Sequence, residues 1–397
     1  MKITGYRSLT TRHDWGRLVG DVNGHTDDHH TDVPVLILET DEGLEGIGLG
    51  SHADIDRVFP AVEGEDPRAV TALYDRMIAR VFKAGHGGSV FGAIGALDMA
   101  LWDLKAKMAD EPLWRTLGAR DRFVPAYASG LDIALDDDQL AALYADFADH
   151  GFTAGKLKGG RDVDHDLRRL LIVREQLIGN SNRPALMFDA NESWNRSQAA
   201  RFVGELERTI DLTWIEEPVR RWDAAGLASV RRSVRAAVAT GENLTGLEQF
   251  RPLLDADAVD ILQPAGVWGI THFLRVATVA HGRDLPVSPV GYNGNPTAHA
   301  AAAVPNHLAT EVQDLTFPIG LDIDQRIEEG GIVLGDRPGL GIEVDEERIG
   351  ALTADHGWAA EGGPHVRPSR AGLRLIPDDA QAAPSRSRVG TGLPSPA

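Results

Sequence analysis

The sequence contains no cysteine, which excludes disulfide bonds and thiolate chemistry. It also lacks any apolar run near the roughly 18 residues needed to cross a bilayer, and its N-terminus has no signal-peptide hydrophobic region. These absences predict a cytoplasmic protein with no membrane partner. The sequence has fewer basic than acidic residues: 40 Lys and Arg and 59 Asp and Glu give a formal net charge of −19. Nucleic acid is therefore not an expected partner.

The chain has an ordinary globular composition, with 43% hydrophobic and 25% charged residues in 397 positions. That length is enough for a barrel of roughly 250 residues together with a companion domain.

From about residue 120 the sequence alternates between short apolar runs and helical patterns. Eight strands alternating with helices predict an α/β fold of the (β/α)₈ TIM-barrel type. A doubly wound open sheet is the alternative, but no Gly-x-Gly-x-x-Gly turn follows a first strand. The eight predicted strand regions are 123–129, 152–158, 185–191, 212–217, 236–242, 259–264, 285–290 and 307–312.

The region before the barrel predicts a smaller α+β domain. Strand-like runs at 33–40 and 44–49 flank an Asp-Glu-Gly turn and predict a hairpin, and helices are predicted at 67–83 and 89–109. Residues 20–32 are rich in Gly, His and Asp without periodicity, which predicts a mobile loop.

Four segments follow from these patterns. After the barrel, runs at 330–334 and 339–344 are interpreted as a closing hairpin that packs on the N-terminal domain, and the Pro-, Ser- and Arg-rich end predicts disorder. The predicted organisation is an α+β domain at 1–118, a barrel at 119–325, a returning segment at 326–365 and a disordered tail at 366–397.

Three acids follow consecutive predicted strands: Asp189, Glu216 and Glu242. They are separated by 27 residues (189 to 216) and 26 residues (216 to 242), about one strand and one helix each. Alone, Asp189 could be a helix cap and the two Glu residues could be surface acids. Repeated at successive strand ends, they would meet on the catalytic rim of a barrel and repel one another unless a hard divalent cation lay between them. The spacing predicts a metal site.

Lys156 and Lys158 lie two residues apart on a predicted strand, so their side chains point to the same face. If that face is the barrel interior, burial and like charge would lower the pKa of one lysine enough for it to accept a proton near pH 7. The alternative is an exposed pair whose aliphatic chains cover the surface.

The combination Lys156-x-Lys158, Asp189-x-Asn191, Glu216-Glu217-Pro218 and Gly241-Glu242-Asn243 resembles the mandelate racemase/muconate lactonizing group of the enolase superfamily. The helix around 96–105 and the segment 338–341 also resemble that group. The resemblance covers about residues 1–350. It implies a capping domain on a barrel, Mg²⁺ bound by Asp189, Glu216 and Glu242, a small carboxylate substrate, removal of the proton α to that carboxylate, and a symmetric homo-oligomer.

The sequence departs from the family on the face opposite the lysines. Pro289 stands where racemase-like members have a His, and Ala265 stands where they have its Asp partner; no Lys replaces them between 260 and 269. Racemisation needs groups on both faces, so a single base favours a one-face reaction. The expected reaction is dehydration of a sugar acid with Lys158 as base and Lys156 tuning it. Lactonising cycloisomerisation, racemisation or epimerisation, and an inactive carboxylate-binding or metal-binding barrel are the alternatives.

Substrate contacts are predicted for a few further positions. Asn191 follows a metal-ligand position, and Glu311 ends the eighth strand. The alternative for Glu311 is a position on the surface. Tyr292 and the histidines of the 20–32 loop, including His29, are candidates for a general acid. The predicted substrate-binding set is Asn191, Tyr292, Glu311 and His29.

Overall fold

The structure is a computed structural model that describes residues 1–51, 53–83, 85–291 and 294–352, and the backbone of 358–359. Its N-terminal part is an antiparallel sheet, in the order β1-β4-β5, covered by helices. The strands are β1 (Ile3–Asp14), β2 (Gly20–Asp21), β3 (Gly24–Thr26), β4 (His30–Thr40) and β5 (Glu45–Leu49). The helices are α1 (Ile55–Val58), a 3₁₀ turn (Phe59–Ala61), α2 (Val70–Val81), α3 (Ser89–Met108) and α4 (Leu113–Thr116).

Helix α3 is the centre of this capping domain. It is apolar on nearly all sides and almost completely buried, as expected for a helix enclosed by other elements. Gly48 of β5 lies so close to the backbone of Ala96 that a side chain there would collide with the Ala96 carbonyl. The absence of a side chain at this position therefore lets the sheet and helix pack closely.

The predicted mobile loop at 20–32 is wrong in part, because the region contains regular structure. Strands β2 and β3 form a small antiparallel hairpin, and β4 begins at His30. Val22 at the turn is completely buried. The strands are too short to show the two-residue alternation that marks a longer strand, and their position depends on contacts with distant loops.

The barrel is confirmed, and the open-sheet alternative is excluded because its last strand pairs with its first. Its parallel strands are β6 (Phe123–Ser129), β7 (Ala154–Lys158), β8 (Ala185–Asp189), β9 (Leu212–Glu216), β10 (Ala237–Thr240), β11 (Ile261–Leu262) and β12 (Thr310–Val312). The predicted strand at 285–290 is present only as isolated bridges between Val287 and both Leu262 and His307, and between Ala265 and Val290.

Helices alternate with these strands and enclose the barrel. They are α5 (Asp137–Asp149), α6 (Val163–Leu177), α7 (Arg196–Leu206), α8 (Ala224–Arg231), α9 (Leu247–Asp255), a 3₁₀ turn (Gly266–Trp268), α10 (Ile270–His281) and α11 (Ala298–Ala301). Across the described part of the chain, none of the helices has both the length and the apolar character that a membrane span requires.

The closing hairpin predicted from 330–334 and 339–344 is wrong, because the two runs pair with different partners. The elements are β13 (Leu321–Ile323), β14 (Gln325–Glu328), β15 (Gly331–Leu334), β16 (Ile342–Val344), α12 (Glu346–Gly350) and β17 (Trp358–Ala359). Strand β15 pairs with β14 and with β6, whereas β16 pairs with β13 and β17 pairs with β3. The two runs are close in sequence, which suggested that they pair with each other, but β15 pairs with barrel strand β6 instead. The tail predicted at 366–397 lies outside the described residues.

The returning segment nevertheless contacts the capping domain. The backbone N–H of Leu113 donates to the Gly339 carbonyl at 2.7 Å, and the N–H of Leu340 donates to the buried Asp103 carboxylate at 2.6 Å. The capping domain also contacts the barrel directly, because Asp98 accepts hydrogen bonds from the backbone and hydroxyl of Thr271 at 2.7 and 2.6 Å. These buried bonds fix the cap over the barrel.

Buried His272 on α10 is expected to make stability fall in acid. Burial lowers the pKa of His272 to about 3, below the usual 6.5, so the folded protein holds it neutral. Below pH 6.5 the unfolded chain binds the proton and the folded chain does not, so this contribution is complete above pH 6.5 and is lost as pH falls towards 3. Between pH 7 and pH 5 the loss is about 2 kcal/mol.

Urea unfolding at pH 7 and pH 5 measures this effect. His272→Asn should reduce the difference between the two pH values by about 2 kcal/mol. His281→Asn, at an exposed position on the same helix, should leave the difference unchanged. Equal pH dependence in all three proteins would contradict the assignment.

Candidate active site

The carboxyl ends of three neighbouring strands carry a row of charged residues. Lys158 ends β7, Asp189 ends β8 and Glu216 ends β9, and the strand register pairs Lys158 with Asp189 and Asp189 with Glu216. Glu242 follows the next strand, two residues after β10 ends at Thr240. The structure therefore brings the predicted acids to one edge of the barrel, as the spacing in the sequence indicated.

Both predicted lysines point into the barrel and form buried ion pairs. Lys158 Nζ lies 2.5 Å from Asp189 Oδ2. Lys156 Nζ lies 2.5 Å from Glu216 Oε1 and 2.8 Å from Glu311 Oε1. Lys156 is completely buried and Lys158 is 3% exposed, which excludes the alternative of a surface pair.

With the acids facing the ammonium groups, the pKa values of both lysines are raised, in the direction opposite to the one expected beside a cation. Burial alone would lower the pKa of Lys158, and Lys156 adds to that effect, but the attraction of Asp189 and other acids outweighs both and raises the pKa. The pKa of Lys156 is also raised, because attraction to Glu216 and Glu311 exceeds the effect of burial. A cation among the acids would reduce this attraction, so the expected lowering of a lysine pKa stays a prediction for the metal-bound site.

The acids outnumber the lysines at this edge. Burial raises the pKa of Glu242 to about 7, and the nearby Asp189 carboxylate adds to the shift. Burial and the neighbouring Glu242 also raise the pKa of Glu217 well above its usual value. Asn243 Nδ2 donates to both of these carboxylates at 3.1 Å and holds them beside each other. The site therefore has more carboxyl groups than ammonium groups to balance them.

In residues 1–51, 53–83, 85–291 and 294–352, no group of three or more His, Asp or Glu side chains is arranged to hold a metal ion. Asp189 and Glu216 are instead turned towards the ammonium groups. The donor chemistry nevertheless fits a hard divalent ion, because all the candidate ligands are carboxylate oxygens at adjacent strand ends. If all are ionised, the five carboxylates exceed the two ammonium groups by three negative charges. The groups counted are Asp189, Glu216, Glu217, Glu242, Glu311, Lys156 and Lys158.

The structure places two of the predicted substrate-binding residues beside the lysines and acids. Glu311 is completely buried, so the surface alternative is wrong, and its Oε2 accepts hydrogen bonds from the Gly291 N–H and Gln313 Nε2. Asn191 is also buried, and its side-chain oxygen has no hydrogen-bond partner among the described residues. Its φ of 41° is in the left-handed region, a strained backbone typical of functional sites.

The other two predicted substrate contacts are not brought to the site. His29 has an exposed side chain in the turn before β4, and only its backbone carbonyl is used, accepting from the Trp15 N–H. In the described residues no hydrogen bond or ion pair joins the His29 side chain to the lysines or acids. Tyr292 lies outside the described residues.

Several side chains below the row were missed from the sequence. Gln263 Nε2 and Trp214 Nε1 both donate to Glu216 Oε2, at 2.6 and 3.1 Å. Tyr127 on β6 lies with its hydroxyl 3.4 Å from Lys156 Nζ. Trp214 could have been identified, because it precedes Glu216 by two residues on a strand and so shares its face. These groups orient Glu216 and Lys156 from inside the barrel.

A buried ion pair positions the backbone of Lys158. Asp132, in the loop after β6, accepts hydrogen bonds from the Lys158 N–H at 3.1 Å, from the Tyr144 hydroxyl at 3.0 Å and from Arg169 Nη2 at 3.1 Å. In the sequence, the apolar positions of α6, such as Val163, Leu167 and Leu170, share one face and predict that Arg169 points to solvent. This prediction is wrong. Arg169 is 1% exposed and also donates to the Leu135 carbonyl. The side chain of Arg169 points inward because its partner, Asp132, is buried on another element, and the helical pattern of α6 contains no information about that partner.

The face opposite the lysines carries no described acid–base group at the expected positions. Ala265 and Pro289 are both buried beside the ends of β11 and of the 285–290 run. His299 is a structural residue, since its Nδ1 accepts from the Trp114 N–H at 3.2 Å, away from the site. In the described part of the chain, the ends of these two strands provide neither a His nor a Lys.

The chain matches two family models: "Mandelate racemase / muconate lactonizing enzyme, N-terminal domain" over residues 22–118, and "Enolase C-terminal domain-like" over 139–348. It is 35% identical over 292 residues to a 3,6-anhydro-alpha-L-galactonate cycloisomerase of Streptomyces coelicolor, covering 73% of this chain and 80% of that protein. It is 32% identical over 346 residues to an L-talarate/galactarate dehydratase of Salmonella typhimurium, covering 82% and 85%.

The chain is also similar to a solved structure that contains bound ligands. The L-talarate dehydratase of Polaromonas, complexed with Mg and L-glucarate, superposes with a TM-score of 0.77. It is 29% identical, and the match covers 91% of this chain and 99% of that one. The likeness therefore extends across both the capping domain and the barrel, and that relative binds magnesium together with an acid sugar.

Proposed function

Because the chain belongs to the enolase superfamily, in its mandelate racemase/muconate lactonizing enzyme group, we propose that it is a Mg²⁺-dependent sugar-acid dehydratase. It removes the proton α to the substrate carboxylate, and a β-hydroxyl then leaves as water. The observation that carries this proposal is the row formed by Lys158, Asp189 and Glu216 at adjacent strand ends. An amine beside a cluster of hard oxygen ligands suits proton abstraction next to a carboxylate.

Asp189, Glu216 and Glu242 would hold the ion, which when bound offsets the negative charge that develops on the substrate carboxylate. Gln263 and Trp214 already hold Glu216 by its second oxygen, so that ligand is oriented before any ion binds. Asn243 does the same for Glu242. The positive charge of a bound ion would oppose the attraction of Asp189 for Lys158, which raises the pKa of that lysine.

Lys158 is the proposed base, and Lys156 is the deeper lysine that adjusts its charge state. Asp132 fixes the Lys158 backbone, and β7 directs its side chain to the barrel mouth. Lys156 stays between Glu216 and Glu311, where it holds these acids and lowers the pKa of Lys158 by like-charge repulsion. This arrangement leaves Lys158 as the amine nearer the opening.

Elimination of water requires a base on one face only, whereas racemisation requires proton delivery to the other face. With Ala265 and Pro289 at the opposite strand ends, the described residues support the one-face reaction. Cycloisomerisation of an anhydro sugar acid is the second candidate. It also needs a single base, and the likeness to the Streptomyces cycloisomerase favours it.

The test is a panel of acids incubated with enzyme and Mg²⁺ in D₂O: galactarate, L-talarate, L-glucarate and 3,6-anhydro-L-galactonate. Dehydration gives a 2-keto-3-deoxy acid that can be detected as its semicarbazone, and NMR follows deuterium at Cα. We expect keto acid from at least one of the first three acids, and no activity after EDTA treatment until Mg²⁺ is restored. Turnover of the anhydro acid alone would establish the cycloisomerase instead. Deuterium at Cα of unreacted acid with inversion would contradict both one-face reactions.

A further inference from the structure

The β2–β3 hairpin of the capping domain lies over the ends of the first three barrel strands. The Gly20 N–H donates to the Leu131 carbonyl after β6 at 2.8 Å, and Arg161 Nη2 after β7 donates to the Val22 carbonyl at 2.8 Å. Asn23 Nδ2 donates to the Asn191 carbonyl after β8 at 3.3 Å. Residues on both sides of Asp21 are thus attached to loops that carry the candidate site.

Asp21 is the charged residue of this attached segment, and it is half-buried. One carboxylate oxygen, Oδ1, accepts from the Asn23 N–H at 2.6 Å, so a bond within the hairpin orients the carboxyl group. Burial raises the pKa of Asp21, while the positive charge of Lys158 opposes the rise and the negative charge of Asp189 adds to it. Its electrostatic neighbours therefore include the proposed base and a proposed metal ligand.

The three histidines of this region are exposed or contact groups of the capping domain. His29 is exposed, and His25 Nδ1 pairs with the Thr26 carbonyl. His30 lies between Asp14 and Asp28, at 3.8 and 3.7 Å. Asp21 is a titratable group of the capping domain whose pKa responds to the charge of Lys158.

We infer that Asp21 is the general acid that protonates the departing β-hydroxyl, an assignment that rests on the proposed dehydration. Lys158 takes the proton from Cα, the Cα electron pair forms the C=C bond, and the Cβ–O bond breaks as the Asp21 carboxyl transfers its proton to that oxygen. Water and the enol of the keto acid leave, with Lys158 protonated and Asp21 ionised. Both groups re-equilibrate with solvent after product release.

This assignment explains how a site without the usual opposite-face groups could complete an elimination. The hairpin contacts the ends of β6, β7 and β8, the side of the barrel that also carries Lys158. Proton removal and proton donation would then occur from the same side of the barrel mouth. A carboxyl with a raised pKa suits an acid that must be protonated when substrate binds.

The decisive experiment compares Asp21→Asn with Asp27→Asn, at an exposed position in the same segment. With whichever of galactarate, L-talarate or L-glucarate the wild type dehydrates, Asp21→Asn should slow keto-acid formation by about 10²-fold. Exchange of the Cα proton in D₂O should persist, because Lys158 is intact. The 3-deoxy-3-fluoro analogue of the same acid, whose fluoride leaves without a proton, should react with Asp21→Asn within about threefold of the wild-type rate. Asp27→Asn should behave as wild type throughout.

The outcomes separate this inference from the proposed function. If Asp21→Asn loses exchange and dehydration equally and the fluoro analogue is not rescued, Asp21 binds substrate or supports the fold, and the acid role is overturned. Unchanged dehydration would overturn it too. A wild-type enzyme that neither exchanges nor dehydrates any panel acid would overturn the dehydratase proposal, and the acid role with it.

Discussion

Replacement of Lys158 by methionine is expected to lower kcat/KM for the dehydrated sugar acid by about 10²- to 10⁴-fold, the usual contribution of a general base. Methionine approximates the length of the lysine side chain but cannot accept a proton. Exchange of the Cα proton in D₂O should disappear together with dehydration, because both depend on the same abstraction. Steady-state kinetics and NMR measure the two effects.

Two controls separate loss of the base from loss of the site. Titration calorimetry should show Mg²⁺ binding retained in Lys158→Met, since the proposed ligands Asp189, Glu216 and Glu242 remain. Lys83→Met, at an exposed lysine of the capping domain, should keep wild-type kinetics. If Lys158→Met kept both exchange and dehydration with unchanged rates, another residue would be the base.

Replacement of Arg169 by methionine is expected to reduce the free energy of unfolding by about 3–5 kcal/mol, the cost of removing one partner from a buried ion pair. Asp132 would keep its hydrogen bonds from Tyr144 and the Lys158 backbone but lose its buried counter-charge. Because burial already raises the pKa of Asp132, the carboxyl is expected to become protonated more readily in this variant. Urea unfolding measures the loss of stability.

The preceding residue provides a matched control on the same helix. Arg168 is exposed and pairs with Asp137 at 2.9 Å, so Arg168→Met should change stability by no more than about 1 kcal/mol. Adding Asp132→Asn to Arg169→Met removes the unpaired charge and should recover part of the lost stability. Equal effects of the two single Arg replacements would show that burial of the Asp132–Arg169 pair is not decisive.

The candidate site was predictable where its residues follow strands with a regular spacing. Lys158, Asp189 and Glu216 could be placed on one edge because the carboxyl ends of parallel strands share that edge. The charge state of the lysines was not predictable in the same way. It depends on distances such as the 2.5 Å from Lys158 Nζ to Asp189 Oδ2, which no sequence spacing gives.

Contacts between distant segments account for the remaining errors. The helical pattern around Arg169 predicts that its side chain is exposed. The side chain is buried because it donates a hydrogen bond to Asp132, 37 positions earlier in the sequence. The run at 330–334 pairs with β6 and β14 instead of its nearest apolar neighbour, because the first residues of β6, 123–125, precede its pairing with β12 and can pair with β15. The periodicity of a helix predicts which side chains are buried only when apolar packing decides burial, and not when a specific buried ion pair does.

The sequence by itself determined the barrel, its capping domain, and the lysines and acids at the strand ends, since hydrophobic period and strand-end position are local properties. Only the tertiary structure decided that Lys156 and Lys158 are paired with acids, that Glu311 is buried, and that the β2–β3 hairpin contacts the loops after β6, β7 and β8. The physical reason is that charge state and catalytic partnership depend on through-space distances between segments, and chain folding alone sets those distances.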